Sequence, residues 1–121
     1  MDQICLAFPI QRGKLDDARS FMDELENQRK GDYARSEERI GITKELWFVA
    51  QTPPTDVLVA YIESPDFNRA LQIFSGSQDE FDLWFKERLA NATGVDLNNP
   101  PPDMKLPELV SNYEAAEVPT R

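Results

Sequence analysis

The side chains available for acid–base chemistry are carboxylates, lysines, tyrosines and one thiol, because the sequence contains no histidine. This absence excludes Ser-His-Asp and Cys-His catalysis, histidine-ligated zinc or haem, and the two-histidine facial iron site. The single cysteine, Cys5, forms neither an internal disulfide nor a thiolate cluster. We expect it to be a buried small hydrophobic residue rather than a nucleophile. The sequence therefore predicts no metal and no cofactor.

Two carboxylates and a tyrosine lie near the open end of a predicted β-hairpin, Glu45 on one strand and Tyr61 and Glu63 on the other. A carboxylate at a pocket mouth acts as a base when burial raises its pKa. Glu45 and Tyr61 are therefore the candidate catalytic residues. The alternative is structural, because Lys44 falls opposite Glu63 and can form an ordinary cross-strand pair.

Aromatic side chains concentrate on the same hairpin and on a later helix that carries Trp84. One interpretation is an apolar pocket between sheet and helices with polar groups at its edge. The other is plain packing of a core and a dimer interface, and the sequence leaves both open. If the pocket exists, the candidate ligand-binding residues are Trp47, Tyr61, Trp84, Glu45 and Glu63.

The elements that must position these residues follow a β-α-β-β-α order. Apolar, β-prone runs predict strands at Ile4–Ile10, Thr43–Gln51 and Asp56–Glu63. Hydrophobic spacing predicts helices from Leu15, over Asp32–Ile40, after Ser64-Pro65, and after a capping box that begins at Ser77. Gly41 and Gly94 are expected to end the second and last of these helices.

The predicted hairpin register follows from a turn at Thr52–Thr55. If Gln51 lies opposite Asp56, then Trp47 faces Ala60 and Leu46 faces Tyr61. A small residue opposite a tryptophan either accommodates the ring or leaves space for a ligand.

The domain is expected to span residues 1–94, followed by a proline-rich tail at 95–121 that docks in part. Asn98–Pro102 is predicted to be extended. Leu106–Tyr113 carries enough apolar side chains to pack against the domain, as a fourth strand, or against a partner subunit, with Ala115–Arg121 loose. A tail disordered from Val95 onward is the competing possibility.

The strands are apolar on both faces, as in the segments CLAF, LWFVA and VLVAYI. Such runs indicate burial on both sides of a sheet. Helices on one face leave the other uncovered, and large exposed apolar patches are rare on monomers. We therefore predict a homodimer.

The β-α-β-β-α order, the hairpin ELWFVA…DVLVAYIE and the helix FDLWFKERL followed by GVDLNNPPP resemble the dimeric α/β-barrel superfamily, especially its small uncharacterised members. The resemblance implies an α+β fold: a ferredoxin-like βαββα(β) sandwich with an antiparallel sheet, helices on one face, and two chains stacked sheet on sheet. Relatives include antibiotic-biosynthesis monooxygenases, stress-responsive barrel proteins and haem-handling branches. A haem-binding histidine has no counterpart in this chain.

The net charge of −9 disfavours nucleic acid and anionic membranes as partners. The N-terminus has no basic segment before its apolar run, so we expect a cytoplasmic protein. The predicted function is a dimeric small-molecule-binding or regulatory module. A cofactor-free enzyme resembling the monooxygenases or isomerases is the alternative, and the sequence does not decide whether the chain is an enzyme.

Overall fold

The chain folds into an α+β domain, as predicted, and the computed structural model describes residues 1–100 and 106–116. Three antiparallel strands form one sheet in the order β1-β3-β2. No helix in the described part is long and apolar enough to cross a bilayer. The elements are β1 (Asp2–Pro9), α1 (Leu15–Glu26), α2 (Lys30–Ile40), β2 (Lys44–Thr52), β3 (Thr55–Ser64), α3 (Phe67–Gly76) and α4 (Glu80–Thr93).

The β2–β3 hairpin has the predicted register. Gln51 lies opposite Asp56, Trp47 opposite Ala60, and Leu46 opposite Tyr61. Since side chains alternate between the faces of a strand, this register assigns Trp47 and Leu46 to opposite faces of the sheet.

The core lies between one face of the sheet and the helices. Leu58, Ala60 and Ile62 of β3 are buried on this face. The Phe85 ring of α4 joins the layers, because its centroid lies 5.0 Å from that of Phe21 and 5.9 Å from that of Trp47. An aromatic side chain from α4 thus connects α1 to β2.

The other face of the sheet, hereafter the open face, is not covered by helices. Leu46 and Phe48 are 42% and 55% exposed there. Cys5 is also exposed on this face, so the expectation that it would be buried in its own subunit is wrong. Alternation along β1 explains the difference, since its neighbours Ile4 and Leu6 point to the core and pack against it.

The start sites of α3 and α4 differ from the prediction. Asp66, not Ser64, caps α3 by accepting a hydrogen bond from the Arg69 amide at 3.1 Å, so Pro65 precedes the helix. Asp79, not Ser77, caps α4. In both cases a serine begins a short turn before the cap, since Ser64 and Ser77 accept from the amides two residues later. The C-terminal ends agree with the sequence: α2 and α4 end at Gly41 and Gly94, with φ of 91° and 79°.

The second helix begins at Lys30 rather than at the predicted Asp32, so Gly31 lies within α2. The break falls earlier, at Asn27, whose amide and side chain both donate to the Asp23 carbonyl and end α1.

The tail departs from the predicted conformation. Asn98 is not extended, because its amide donates to Asp96 Oδ1 at 2.9 Å and closes a turn. Pro101 and Pro102, with residues 117–121, lie outside the described residues. The described segment 106–116 has no regular secondary structure. Only Leu106 of its apolar residues packs against the core, while Leu109, Val110 and Tyr113 are exposed.

Two buried charges on α4 fix the neighbouring helices. Asp82 accepts hydrogen bonds from Ser36 Oγ and from the Arg39 guanidinium of α2, the latter at 2.8 Å. Lys86 donates to the carbonyls of Phe74 and Ser77 at 2.8 and 3.0 Å, where α3 ends. A cation at a helix C-terminus complements the helix dipole. α4 therefore positions α2 through an anion and α3 through a cation.

Asp82→Ala is expected to lower the free energy of unfolding by about 2 kcal/mol, because the buried Ser36 hydroxyl loses its acceptor and the hydrogen bonds from Arg39 are lost. Urea denaturation measures this change. Asp17→Ala, at an exposed position of α1, is the control and should change stability by less than about 0.5 kcal/mol. Equal effects of the two substitutions would show that the Asp82 contacts do not stabilise the fold.

Candidate functional site

A pair of carboxyl groups from α2 and β2 meets between the sheet and the helices. Glu45 and Trp47 are two residues apart on β2 and share its core-facing side. Tyr33, Glu37 and Ile40 recur at helical spacing on α2, so one face of that helix presents all three to the sheet. The two elements bring Glu37 against Glu45, and we call these two residues the carboxyl pair.

Glu45 is held by two hydrogen bonds. Its Oε2 accepts from the Tyr33 hydroxyl and, at 3.0 Å, from the Trp47 indole Nε1. Glu37 and Glu45 lie close enough for each carboxyl group to shift the pKa of the other. Glu37 Oε2 is buried and has no hydrogen-bond partner among the described residues. This buried oxygen of Glu37 is thus left without a donor from the described part of the protein.

Burial is the main cause of the altered acidity of the pair. It raises the pKa of Glu37 to about 9, and the nearby Glu45 and Asp82 carboxylates act in the same direction. Burial also raises the pKa of Glu45, while hydrogen bonds from Tyr33 and Trp47 oppose that rise. Glu37 therefore keeps its proton at neutral pH, beside the Glu45 carboxyl group. Such a pair can both donate and accept a proton.

The carboxyl pair lies where two cavities adjoin. An inner cavity of about 60 Å³ between sheet and helices is lined mainly by apolar and aromatic side chains, including Trp47, Phe81 and Phe85. A more open groove of about 180 Å³, the outer groove, runs between α2 and the edge strand β2 and is lined by Lys30, Tyr33 and Lys44 among others. Glu37, Glu45 and Ile42 line both. The outer groove thus provides a route from solvent to the pair.

The structure brings together only part of the site that was expected from the sequence. Glu45 and Trp47 lie side by side at the inner cavity. Tyr61 and Glu63 lie on the open face instead, where the Tyr61 hydroxyl donates to Glu63 Oε2 at 2.6 Å. Trp84 contributes to a different surface, with the Arg29 guanidinium 4.6 Å from its ring. The five candidate ligand-binding residues therefore belong to three separate places.

Sequence reasoning missed Glu37 and Tyr33. Glu37 lies between Arg35 and Arg39, a pattern typical of an exposed helix surface, yet these arginines bind Asp32 and Asp82 instead. The signal that could have identified Glu37 is its spacing from Tyr33 and Ile40, which puts a carboxylate within the apolar stripe of α2.

In the described part of the chain, no three acidic or cysteine side chains converge so that they could hold a metal ion. No protein-family model, curated protein or solved structure matches this chain. The geometry of the carboxyl pair is therefore the basis for a functional assignment.

The pH dependence of stability tests the raised pKa of Glu37. Between about pH 4.5 and 9 the folded state holds a proton on Glu37 that the unfolded state has lost. Stability should therefore fall as pH rises through this window. We expect Glu37→Gln to reduce that fall when urea denaturation is compared at about pH 5.5 and about pH 8.

Glu38→Gln changes an adjacent exposed carboxylate and is the matched control. It should leave the pH dependence as it is in the unmodified protein. If Glu37→Gln and Glu38→Gln have the same pH dependence as the unmodified protein, Glu37 is not the group responsible.

Proposed function

We propose that the chain is a dimeric small-molecule-binding module whose ligand occupies the inner cavity and contacts the carboxyl pair. The observation that carries this proposal is the unpartnered Glu37 Oε2 at an apolar cavity. A buried polar atom without a partner is costly, so a ligand that supplies one gains affinity at this point.

The size of the two cavities limits the ligand. The inner cavity of about 60 Å³ has the volume that about two water molecules occupy in the liquid. It accommodates a group of a few non-hydrogen atoms, and any larger part must extend into the outer groove of about 180 Å³. The ligand is therefore a small molecule with an apolar portion and one polar group at the carboxyl pair.

The open face supports a dimer formed by two copies of the sheet. Leu46 and Phe48 are exposed there on the edge strand β2, and Cys5, Val57 and Val59 lie on the same face. These five residues are uncharged in a chain of net charge −9, so two copies can approach through them with little charge repulsion. The β1-β3-β2 order agrees with a ferredoxin-like split βαβ plan and thus with a dimeric α/β barrel.

The tail supplies a further apolar surface that suits a second copy. Glu63 and, more weakly, Glu114 raise the pKa of Tyr61, which indicates that the tail passes near the open face. Leu109, Val110 and Tyr113 nevertheless remain exposed in the single chain. A stacked partner would offer these side chains apolar contacts that their own subunit does not provide.

A cofactor-free enzyme is the second candidate, favoured by one observation. The carboxyl pair places an acid, Glu37, beside a base, Glu45, in a largely apolar cavity. Such a pair could move a proton between two positions of a bound substrate, as an isomerase requires. Tyr61 would not take part within one subunit, because it lies on the opposite face of the sheet from Glu45.

Filling the inner cavity tests the binding proposal. Ala70 is buried and lines this cavity, so Ala70→Val should occupy part of its volume. We expect a thermal-shift screen of small amines, alcohols, acids and amides to yield compounds that raise the melting temperature of the unmodified protein. The same compounds should have little effect on Ala70→Val.

Ala90→Val adds the same volume on α4, away from both cavities, and should retain the ligand response. The binding proposal fails if no compound stabilises the unmodified protein, or if stabilisation is unchanged in Ala70→Val.

The dimer is tested by a charge on the open face. Phe48→Glu should yield a folded monomer, because Phe48 is more than half exposed in the single chain and contributes little to its core. Leu83→Glu, at an exposed apolar position on α4, should remain dimeric. Sedimentation equilibrium with circular dichroism distinguishes these states, and an unmodified protein that is monomeric at micromolar concentration would contradict the dimer.

A further inference from the structure

We infer that the ligand of the inner cavity is a small organic ammonium ion, whose amino group binds the carboxyl pair and whose short alkyl portion fills the aromatic cavity. This inference rests on the proposed function and specifies the class of ligand. Three features support it: the uncompensated charge of the carboxyl pair, the hydrogen-bond donors that the pair requires, and the aromatic walls of the inner cavity.

The carboxyl pair lacks a cationic partner among the described residues that line the inner cavity. The nearby cations of α2 are engaged elsewhere: Lys30 with Glu26 at 2.8 Å, Arg39 with Asp82 at 2.8 Å, and Arg35 with Asp32. Buried carboxylates are stable when a cation is paired with them. A positively charged ligand would supply that partner and allow both glutamates to ionise.

The hydrogen-bonding pattern also favours an ammonium group. A primary ammonium carries three N–H donors and no acceptor. It can donate to the free Glu37 Oε2 and to Glu45 at the same time, since neither oxygen offers a donor once the pair has ionised. A hydroxyl group has one donor, so it satisfies one oxygen and leaves the charge of the pair uncompensated.

The cavity walls suit the rest of such a ligand. Trp47, Phe81 and Phe85 line the inner cavity. The ring centroid of Phe85 lies 5.9 Å from that of Trp47 and 6.2 Å from that of Phe81. Aromatic faces attract cations and also pack against alkyl groups. The net charge of −9 adds a general attraction for cations over the surface.

Lys30 and Lys44 line the outer groove rather than the inner cavity. They lie near the mouth of the route to the carboxyl pair. The groove can therefore accept an anionic substituent of a ligand whose ammonium group is already on the glutamates.

The two tryptophans provide a direct assay by nitrogen–proton correlation NMR. The indole N–H of Trp47 donates to Glu45, so its resonance should respond when a ligand binds the carboxyl pair. The indole of Trp84 lies outside the inner cavity and serves as an internal control. Propylammonium and 1-propanol are probes of nearly equal size that differ in charge.

We expect propylammonium to shift the Trp47 resonance saturably at near-neutral pH, with Trp84 unaffected, and 1-propanol to bind at least about tenfold more weakly. Glu37→Gln should weaken propylammonium by about tenfold or more, and Glu38→Gln should not. Both variants keep the shape of the glutamate side chain.

Other outcomes distinguish failure of the ammonium inference from failure of the proposed small-molecule binding. If 1-propanol binds at Trp47 as well as propylammonium does, or if Glu37→Gln binds propylammonium normally, the ligand is not recognised as a cation and the inference is wrong, while small-molecule binding stands. If neither probe moves Trp47, the inner cavity does not take ligands of this size, and the proposed function fails as well. Equal shifts of Trp47 and Trp84 would indicate surface binding and would overturn the inference.

Discussion

The position of Glu37 depends on the hydrogen bonds that Asp82 of α4 makes to α2. Ser36 and Arg39, which bind Asp82, lie on either side of Glu37 in the sequence. With both held by one buried carboxylate, α2 has little freedom to rotate about its axis, and Glu37 is directed at β2. Asp82 also adds negative charge near Glu37 and contributes to its raised pKa. A contact between two helices thus fixes the geometry of the carboxyl pair and adds to the raised pKa of Glu37, whose main cause is burial.

Burying two carboxyl groups opposes folding, and the surrounding contacts reduce but do not remove that cost. Glu45 receives hydrogen bonds from Tyr33 and Trp47, and Glu37 retains a proton instead of a charge. One oxygen still lacks a donor among the described residues. Two apolar side chains of similar volume would avoid all of these costs. The retention of such a pair beside a cavity is the pattern expected where binding or proton transfer offsets a loss of stability.

The register of the hairpin was predictable from the position of its turn. The prolines between Thr52 and Thr55 fix where the strands separate, and the register places Trp47 opposite Ala60 as expected. This also assigned Glu45 and Trp47 to one face. Tyr61 and Glu63 were grouped with them because of their proximity in the hairpin, although the same register assigns both to the opposite face of the sheet. Glu37 was missed because a charge flanked by arginines suggests an exposed helix surface, and only tertiary contacts to Asp82 assign those arginines elsewhere. The helix starts at Asp66 and Asp79 were missed because a serine two residues earlier is an equally good cap by type.

Carboxyl-carbon NMR of selectively labelled glutamate, recorded across pH and assigned with Glu37→Gln and Glu45→Gln, tests the central claim most directly. The account predicts that the Glu37 carboxyl remains protonated through neutral pH and titrates near the value of about 9 that burial beside Glu45 and Asp82 produces. It also predicts that the Glu45 signal changes when Glu37 is replaced, since each group shifts the pKa of the other. Two independent titrations near the ordinary value of 4.5 would contradict the account, because Glu37 and Glu45 would then be two solvated carboxylates rather than a buried pair.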